Sequence, residues 1–155
     1  HATTALCLEW LDALALSDKT LLDYGCGSGV LAIAALKLGC RDATAMDIDA
    51  QAVLATRQNA ITNCVRERLC VVNSADEISG VFDVVVANIL AGPLVQYAES
   101  ITSTVASGGM LALSGVLCEQ AAAVMEAYEA WIAFDAPVFQ EQDGQTWTRL
   151  TGSRR

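Results

Sequence analysis

The sequence predicts an α/β fold built on a mainly parallel sheet of seven strands, with an antiparallel hairpin at the C-terminal end of the chain. Strand-like and helix-like segments alternate five times before the C-terminal tail. The tail then changes character, because two β-rich segments flank the turn-like Gln142-Asp143-Gly144. No internal repeat or linker interrupts the 155 residues, so we expect one compact domain over residues 1–155.

Local patterns place each element. Leu8 and Leu11 belong to an apolar face that predicts the first helix. Asp49 is a short hydrogen-bond acceptor that predicts a helix N-cap, and Pro93 is typical of a helix start. The unbroken β-branched run in 82–87 predicts a strand buried on both faces. The predicted order is helix 5–16, strand 21–24, helix 30–38, strand 43–46, helix 50–63, strand 69–72, strand 82–87, helix 94–105, a turn at 108–109, strand 110–114, helix 118–128, and strands 131–140 and 146–151.

A glycine-rich turn joins the first strand to its helix. Gly25, Gly27 and Gly29 alternate with Cys26 and Ser28. Glycine suits such a turn because it reaches positive φ without steric penalty and lets a ligand approach the backbone. The spacing differs from the Gly-x-Gly-x-x-Gly of dinucleotide-binding proteins, which disfavours a nicotinamide dehydrogenase. Taken alone, the glycines are equally explained by a structural turn.

Two carboxylates give the turn its chemical character. Asp23, two residues before the first glycine, is unfavourable near a pyrophosphate but suits a cationic group of a ligand. Asp47 ends the next strand, at the sheet edge where ligands of open α/β sheets bind. Its carboxylate can accept hydrogen bonds from both hydroxyls of a ribose. A ligand with a ribose and an ammonium group indicates S-adenosylmethionine as the cofactor.

Asn88 ends the fourth strand and is the candidate catalytic residue. The end of this strand lies beside the glycine turn across the point where the strand order reverses, so Asn88 should face the reactive end of the cofactor. Its carbonyl oxygen could orient the N–H groups of an amine nucleophile. The alternative is that Asn88 only ends the strand and caps the following turn.

Composition limits the classes of partner. The net charge is −9 and the only basic cluster is Arg154-Arg155, which disfavours nucleic-acid binding and favours a basic protein partner. No transmembrane helix or signal peptide is visible. The six cysteines form no Cys-x-x-Cys pair, and we expect free, buried thiols in a reducing cytosol. Cys26 is expected to be structural because His1 is the only histidine. We expect no metal site, and a monomer.

These segments together resemble the PrmA family of bacterial methyltransferases, which modify the large-subunit ribosomal protein L eleven. The His-x-Thr-Thr opening and the Asn-Ile-Leu-Ala-Gly-Pro-Leu segment are the most specific. The matching segments are His1-Ala2-Thr3-Thr4, Leu6-Cys7-Leu8, 23–29, Asp47-Ile48-Asp49, 87–94 and Leu113-Ser114-Gly115. The resemblance implies a Rossmann-like, class I S-adenosylmethionine-dependent methyltransferase in the cytoplasm. Its implied substrates are lysine side-chain and N-terminal amines of a large-subunit ribosomal protein.

The resemblance also implies roles for individual residues. Thr4 would contact the methionine part of the cofactor, Gly25 and Gly27 would line the turn, Asp47 would bind the ribose, and Asn88 would lie at the transfer site. From the sequence alone, Thr4 would instead be the N-cap of the first helix. The family also has an N-terminal substrate-recognition domain, which we expect to be absent from these residues. Two alternatives remain: a methyltransferase of the same fold that acts on a small molecule or RNA, and a non-catalytic cofactor-binding module.

Overall fold

The computed structural model describes residues 1–155. Six α-helices and eight β-strands form a three-layer structure in which helices cover both faces of one sheet. The elements are α1 (Ala2–Ala13), β1 (Thr20–Tyr24), α2 (Val30–Lys37), β2 (Asp42–Met46), α3 (Ala50–Thr62), β3 (Leu69–Val72), β4 (Phe82–Asn88), α4 (Ala91–Gln96), α5 (Ala98–Ser103), β5 (Val105–Leu117), α6 (Ala121–Tyr128), β6 (Ile132–Phe134), β7 (Val138–Gln142) and β8 (Gln145–Arg154). The predicted α/β class is confirmed.

The sheet has the strand order β3-β2-β1-β4-β5-β8-β6, and β7 pairs with β8. The first five strands are parallel to one another, and β8 runs antiparallel to β5. The chain moves outward from β1 through β2 to β3 and then returns to place β4 on the other side of β1. This reversal opens a crevice at the carboxyl ends of β1 and β4, where ligands of such sheets bind.

The C-terminal tail contributes three strands rather than the predicted two, so the sheet has eight strands rather than seven. The segment 131–140, predicted as one strand, is divided into β6 and β7, which pair with opposite ends of the long β8. Pro137 lies in the interruption, where its ring removes the N–H that a continuous ladder would use. The predicted hairpin itself is present, because β7 and β8 are joined through Asp143 and Gly144.

Alternate residues of the central strands separate two apolar clusters. On β4, Val85 and Ala87 pack into the cluster beneath α4, α5 and α6, whereas Val84 and Val86 pack beneath α1 and α2. All four side chains are buried, as expected for a strand covered on both faces. Burial on both faces fixes the direction of each side chain, and therefore fixes which residues reach the end of the strand facing the crevice.

Several boundaries differ from the sequence predictions. Helix α1 begins at Ala2 because His1 caps it, with Nδ1 accepting a hydrogen bond from the Thr3 N–H at 3.2 Å. Thr4 therefore lies inside the helix, and its prediction as an N-cap is wrong. The predicted helix 94–105 is two short helices separated at Tyr97.

No helix has both the length and the apolar character that crossing a membrane requires.

Candidate active site

The glycine turn adopts a backbone that only glycine adopts easily. Gly25, Gly27 and Gly29 have φ values of +83°, +55° and +83°, all in the left-handed region. The N–H groups of Gly25 and Cys26 both donate to the Met46 carbonyl, at 2.8 and 2.9 Å, which fastens the turn to the end of β2. A Cβ atom on Gly25 would lie 2.5 Å from Cγ2 of Ile89. The turn therefore presents bare backbone to the crevice.

Asp47 lies directly after β2, at the edge of this turn. Its Oδ2 accepts a hydrogen bond from the Gly27 N–H at 2.9 Å, and its Oδ1 accepts one from the Asp49 N–H at 3.0 Å. The side chain is partly exposed, and each oxygen retains acceptor capacity. The carboxylate is thus held in place by the backbone while it faces the crevice. Asp49, in turn, caps α3 as predicted, by accepting from the Gln51 N–H at 2.9 Å.

Asp23 is the most unusual ionisable group in the protein. Its side chain is almost completely buried, and no protein group donates a hydrogen bond of acceptable geometry to either oxygen. Burial raises the pKa of the Asp23 carboxyl to about 7; the Ala32 N–H opposes this change and the Asp47 charge adds to it. Aspartate in such a position costs free energy unless a donor or cation reaches it. The charge of Asp23 was predictable from the sequence, but its lack of hydrogen-bond partners was not.

Asn88 and Thr4 meet at the other side of the turn. The Asn88 side-chain amide donates to Thr4 Oγ1 at 3.5 Å, a long hydrogen bond that leaves the amide oxygen free. Ser114 helps to hold α1 over this point, because its Oγ donates to the Thr3 carbonyl at 3.2 Å. The side chains of Thr4 and Asn88 are only partly buried, so a ligand in the crevice can reach them.

Two cavities lie beside the turn, and Gly25 lines both of them. The smaller has a volume of about 170 Å³ and is polar. The larger has a volume of about 490 Å³ and is mainly apolar. The smaller is lined by Thr4, Asp23, Gly25, Cys26, Gly27, Ser28, Val30, Leu31 and Asn88. The larger is lined by Tyr24, Gly25, Met46, Asp47, Ile48, Ala75, Ile89, Leu90, Pro93, Gln96 and Tyr97.

The fold brings all five predicted site residues together. Thr4, Gly25, Gly27 and Asn88 line the polar cavity, and Asp47 and Gly25 line the apolar one. The apolar walls were not predicted from the sequence; they include Ile48 and Ile89. Their position in the sequence could have indicated them, because each directly follows a predicted site residue.

The cysteines are only partly as predicted. All six are free, but Cys64, Cys70 and Cys118 are exposed rather than buried. Cys70 is exposed because β3 lies at the edge of the sheet. Burial raises the pKa of the Cys26 thiol to about 11, which disfavours a nucleophilic thiolate and agrees with a structural role. No group of three or more His, Cys, Asp or Glu residues has the arrangement of a metal site.

The residues fit the chemistry of S-adenosylmethionine. The isolated Asp23 carboxylate suits the ammonium of the methionine part, Asp47 suits the ribose hydroxyls, and the apolar cavity suits an adenine ring. The fold also matches known proteins of one class. The N-methyltransferase NodS from Bradyrhizobium japonicum, solved with S-adenosylhomocysteine, superposes with a TM-score of 0.76 at 13% identity, over 97% of this chain and 85% of that one.

The architecture is that of the class I S-adenosylmethionine-dependent methyltransferases. Within this class, the family model for ribosomal protein L11 methyltransferase (PrmA) matches residues 1–155, and the chain belongs to that family. The ribosomal protein L11 methylase from Lactobacillus delbrueckii superposes with a TM-score of 0.90 at 30% identity, over 100% of this chain and 80% of that one. The predicted family and the predicted cofactor, S-adenosylmethionine, are confirmed.

Relatives at higher identity are longer than this chain. Ribosomal protein L11 methyltransferase from Shewanella denitrificans is 51% identical over 156 residues, which is 100% of this chain and 52% of that protein. The protein of the same name from Laribacter hongkongensis is 50% identical, over 100% of this chain and 50% of its own length. The chain thus spans about half the length of the curated relatives it matches.

Proposed function

We propose that residues 1–155 act as one catalytic domain that transfers methyl groups to lysine side-chain and N-terminal amines of ribosomal protein L11. The observation that carries the proposal is that Gly25 lines both cavities, so that Asp23 and Asn88 in the polar cavity and Asp47 in the apolar one lie around the same glycine turn. We infer the substrate from the names of the family and of the relatives, which specify ribosomal protein L11. When bound, S-adenosylmethionine supplies an activated methyl group, so the protein has chiefly to position the two reactants.

Each carboxylate has a separate binding task in this proposal. Asp23 would pair with the cofactor ammonium, because the buried carboxylate has no hydrogen bond of acceptable geometry within the protein. Thr4, beside it in the polar cavity, would contact the carboxylate end of the same methionine part through its hydroxyl. Asp47 would accept hydrogen bonds from the ribose hydroxyls while the Gly27 and Asp49 amides hold it in place.

Asn88 would hold the acceptor amine. Its amide nitrogen is engaged with Thr4, which leaves the oxygen to accept hydrogen bonds from the substrate N–H groups. This contact directs the nitrogen lone pair away from Asn88 and toward the crevice. A neutral side chain also suits a site that takes several amines in turn, because it adds no fixed charge that would favour the protonated amine.

The charge of the molecule supports a basic partner. A net charge of −9 promotes encounter with a cationic protein and opposes approach to a phosphate backbone. The charge therefore favours a protein over RNA as the substrate. We also propose that the enzyme is a cytoplasmic monomer.

The test is a labelling experiment with methyl-labelled S-adenosylmethionine. The 155-residue chain would be incubated separately with purified ribosomal protein L11, with ribosomal RNA, and with a small-molecule extract. We expect label in the protein alone, and we expect prior acetylation of the protein's amines to prevent it. Label in RNA or in a small molecule would overturn the assigned substrate. Cofactor binding without any transfer would indicate a non-catalytic module.

Removal of the Asp47 carboxylate should weaken cofactor binding. A charge-assisted hydrogen bond contributes roughly 1.5 to 3 kcal/mol, so Asp47→Ala should raise the cofactor Kd about tenfold or more. Isothermal titration calorimetry measures this change directly. The matched control is Asp12→Ala, which removes the same charge from an exposed site on α1. It should leave the Kd within about threefold. An unchanged Kd for Asp47→Ala would refute the ribose assignment.

A further inference from the structure

Two polar side chains of helix α3 fasten the glycine turn from behind. Thr56 is completely buried, and its Oγ1 donates to the Gly27 carbonyl at 2.9 Å. Asn59, one helical turn further on, donates through Nδ2 to the Ser28 carbonyl at 2.9 Å. Residues three apart lie on one face of a helix, so a single face of α3 holds two successive carbonyls of the turn.

Thr56 is also fitted closely to the rest of the turn. A Cβ atom on Gly29 would lie 2.7 Å from Thr56 Cγ2 and 2.9 Å from Thr56 Oγ1, so the turn and this side chain are in direct contact. The Cys26 Sγ lies 3.3 Å from the same oxygen. Because the Thr56 hydroxyl proton is used toward the Gly27 carbonyl, the Cys26 thiol is the donor in this pair. Both hydrogen bonds of the buried hydroxyl are therefore made with residues of the turn.

The Gly27 residue is consequently held at both ends. Its N–H donates to Asp47 Oδ2 at 2.9 Å, and its carbonyl accepts from Thr56. The other oxygen of Asp47 accepts from the Asp49 N–H, and Asp49 caps the helix that carries Thr56. These contacts close a ring from Asp47 through α3 to the turn and back. Movement of Thr56 away from the turn would release Gly27 and with it one of the two hydrogen bonds that hold the Asp47 carboxylate.

We propose that Thr56 is a positioning residue for cofactor binding: its hydroxyl sets the Gly27 peptide, which in turn sets the Asp47 carboxylate that meets the ribose. This rests on the proposed assignment of the crevice to the cofactor. Thr56 does not line either cavity, so its effect is transmitted through Gly27. Asn59 makes the parallel contact at Ser28 and reinforces the same arrangement.

The test compares Thr56→Val with Thr56→Ser. Valine keeps the shape and the burial but removes the hydroxyl, so we expect the cofactor Kd to rise about three- to tenfold, as for loss of one hydrogen bond. The value of kcat at saturating cofactor should stay within about twofold. Serine keeps the hydroxyl but loses the methyl group, so it should bind the cofactor within about twofold of the parent although it is less stable to heat.

The two variants separate positioning from packing because the positioning role predicts tighter cofactor binding by the serine variant than by the valine variant. If Thr56 acted only through packing, the serine variant, which has lost the methyl group, would bind the cofactor more weakly than the valine variant. That result would overturn the inference. Thr62→Val is the matched control, because the Thr62 hydroxyl bonds only to the Gln58 carbonyl of its own helix and its removal should leave the Kd unchanged. Asn59→Ala provides a second variant, with an expected two- to fivefold rise in Kd.

Failure of the inference is distinguishable from failure of the proposed function. If Asp47→Ala weakens binding and both Thr56→Val and Asn59→Ala bind like the parent, the positioning role is wrong and the site assignment stands. If the parent binds the cofactor and Asp47→Ala has no effect, the site assignment itself is wrong.

Discussion

Asn88→Ala is expected to lower kcat by about 100-fold or more while the cofactor Kd changes by less than about threefold. The reason is that, in the proposed function, the free amide oxygen of Asn88 would orient the incoming amine, whereas the cofactor would be held mainly by Asp23, Asp47 and backbone groups. A misdirected lone pair reduces the fraction of encounters that can react, and it does so without affecting cofactor affinity. Single-turnover methylation of ribosomal protein L11 at saturating cofactor measures the effect on the chemical step.

Asn63→Ala is the matched control for this substitution. Asn63 lies at the exposed end of α3, where its side chain bonds to the Asn59 carbonyl, and its loss should leave kcat within about twofold. Equal losses of kcat and of cofactor affinity in Asn88→Ala would show that Asn88 is only a cofactor contact. Unchanged kcat would leave Asn88 with the structural role of ending β4.

The residues near the crevice were predictable because each lies at the end of a strand or directly after it. In a parallel sheet the carboxyl ends of the strands meet at one edge, so Gly25 after β1, Asp47 after β2 and Asn88 at the end of β4 had to converge once the strands were identified. Their chemistry could be inferred from residue type alone. No knowledge of side-chain packing was needed for this part of the site.

Thr4 and Thr56 were harder to predict for a different reason. Both reach the glycine turn from helices, and the direction of a helical side chain depends on how the helix packs against the sheet. Helix α1 begins three residues earlier than predicted, so Thr4 lies inside the helix and lines the polar cavity instead of capping the helix. Thr56 carries no distinguishing pattern in a helix of mixed composition, so its contact with Gly27 becomes visible only in three dimensions.

Strand order accounts for the remaining differences. Cys70 was predicted to be buried in a short apolar strand. It is exposed because β3 lies at the edge of the sheet and pairs with only one strand. The sequence specifies which segments are strands but not which of them lie at an edge. The same uncertainty applies to the tail, where β6 and β7 share β8 as their partner and the interruption at Pro137 decides the strand count.

Asp23→Asn should have two effects of opposite sign, and the first concerns stability. The folded protein holds the Asp23 proton up to a pKa of about 7, whereas the ordinary value for the unfolded chain is 3.8. The contribution of Asp23 to the free energy of unfolding should therefore be greatest below about pH 4, fall as the pH rises to about 7, and then level off. Such a pKa difference corresponds to at most about 4 kcal/mol.

The variant should lack this fall in stability. At pH 8 we expect Asp23→Asn without cofactor to be more stable than the parent by about 2 kcal/mol, less than the maximum because the asparagine amide also lacks partners. Denaturant unfolding at several pH values between 5 and 8 measures the difference. The control is Asp12→Asn, an exposed site on α1 where the same substitution should have little effect. A variant less stable than the parent at pH 8 would mean that the Asp23 carboxylate has a partner in solution.

The second effect of Asp23→Asn is on cofactor binding. If the carboxylate pairs with the cofactor ammonium, the neutral variant should bind about 30-fold or more weakly at pH 8, since a buried charge-assisted hydrogen bond is lost. Parent affinity should also weaken as the pH falls below about 7, because the free protein must then release a proton before it binds a cation. The variant should show no such dependence. A more stable protein that binds its ligand less well is the result expected of a carboxylate kept for binding at the expense of the free fold, and tight binding by the variant would contradict that role for Asp23.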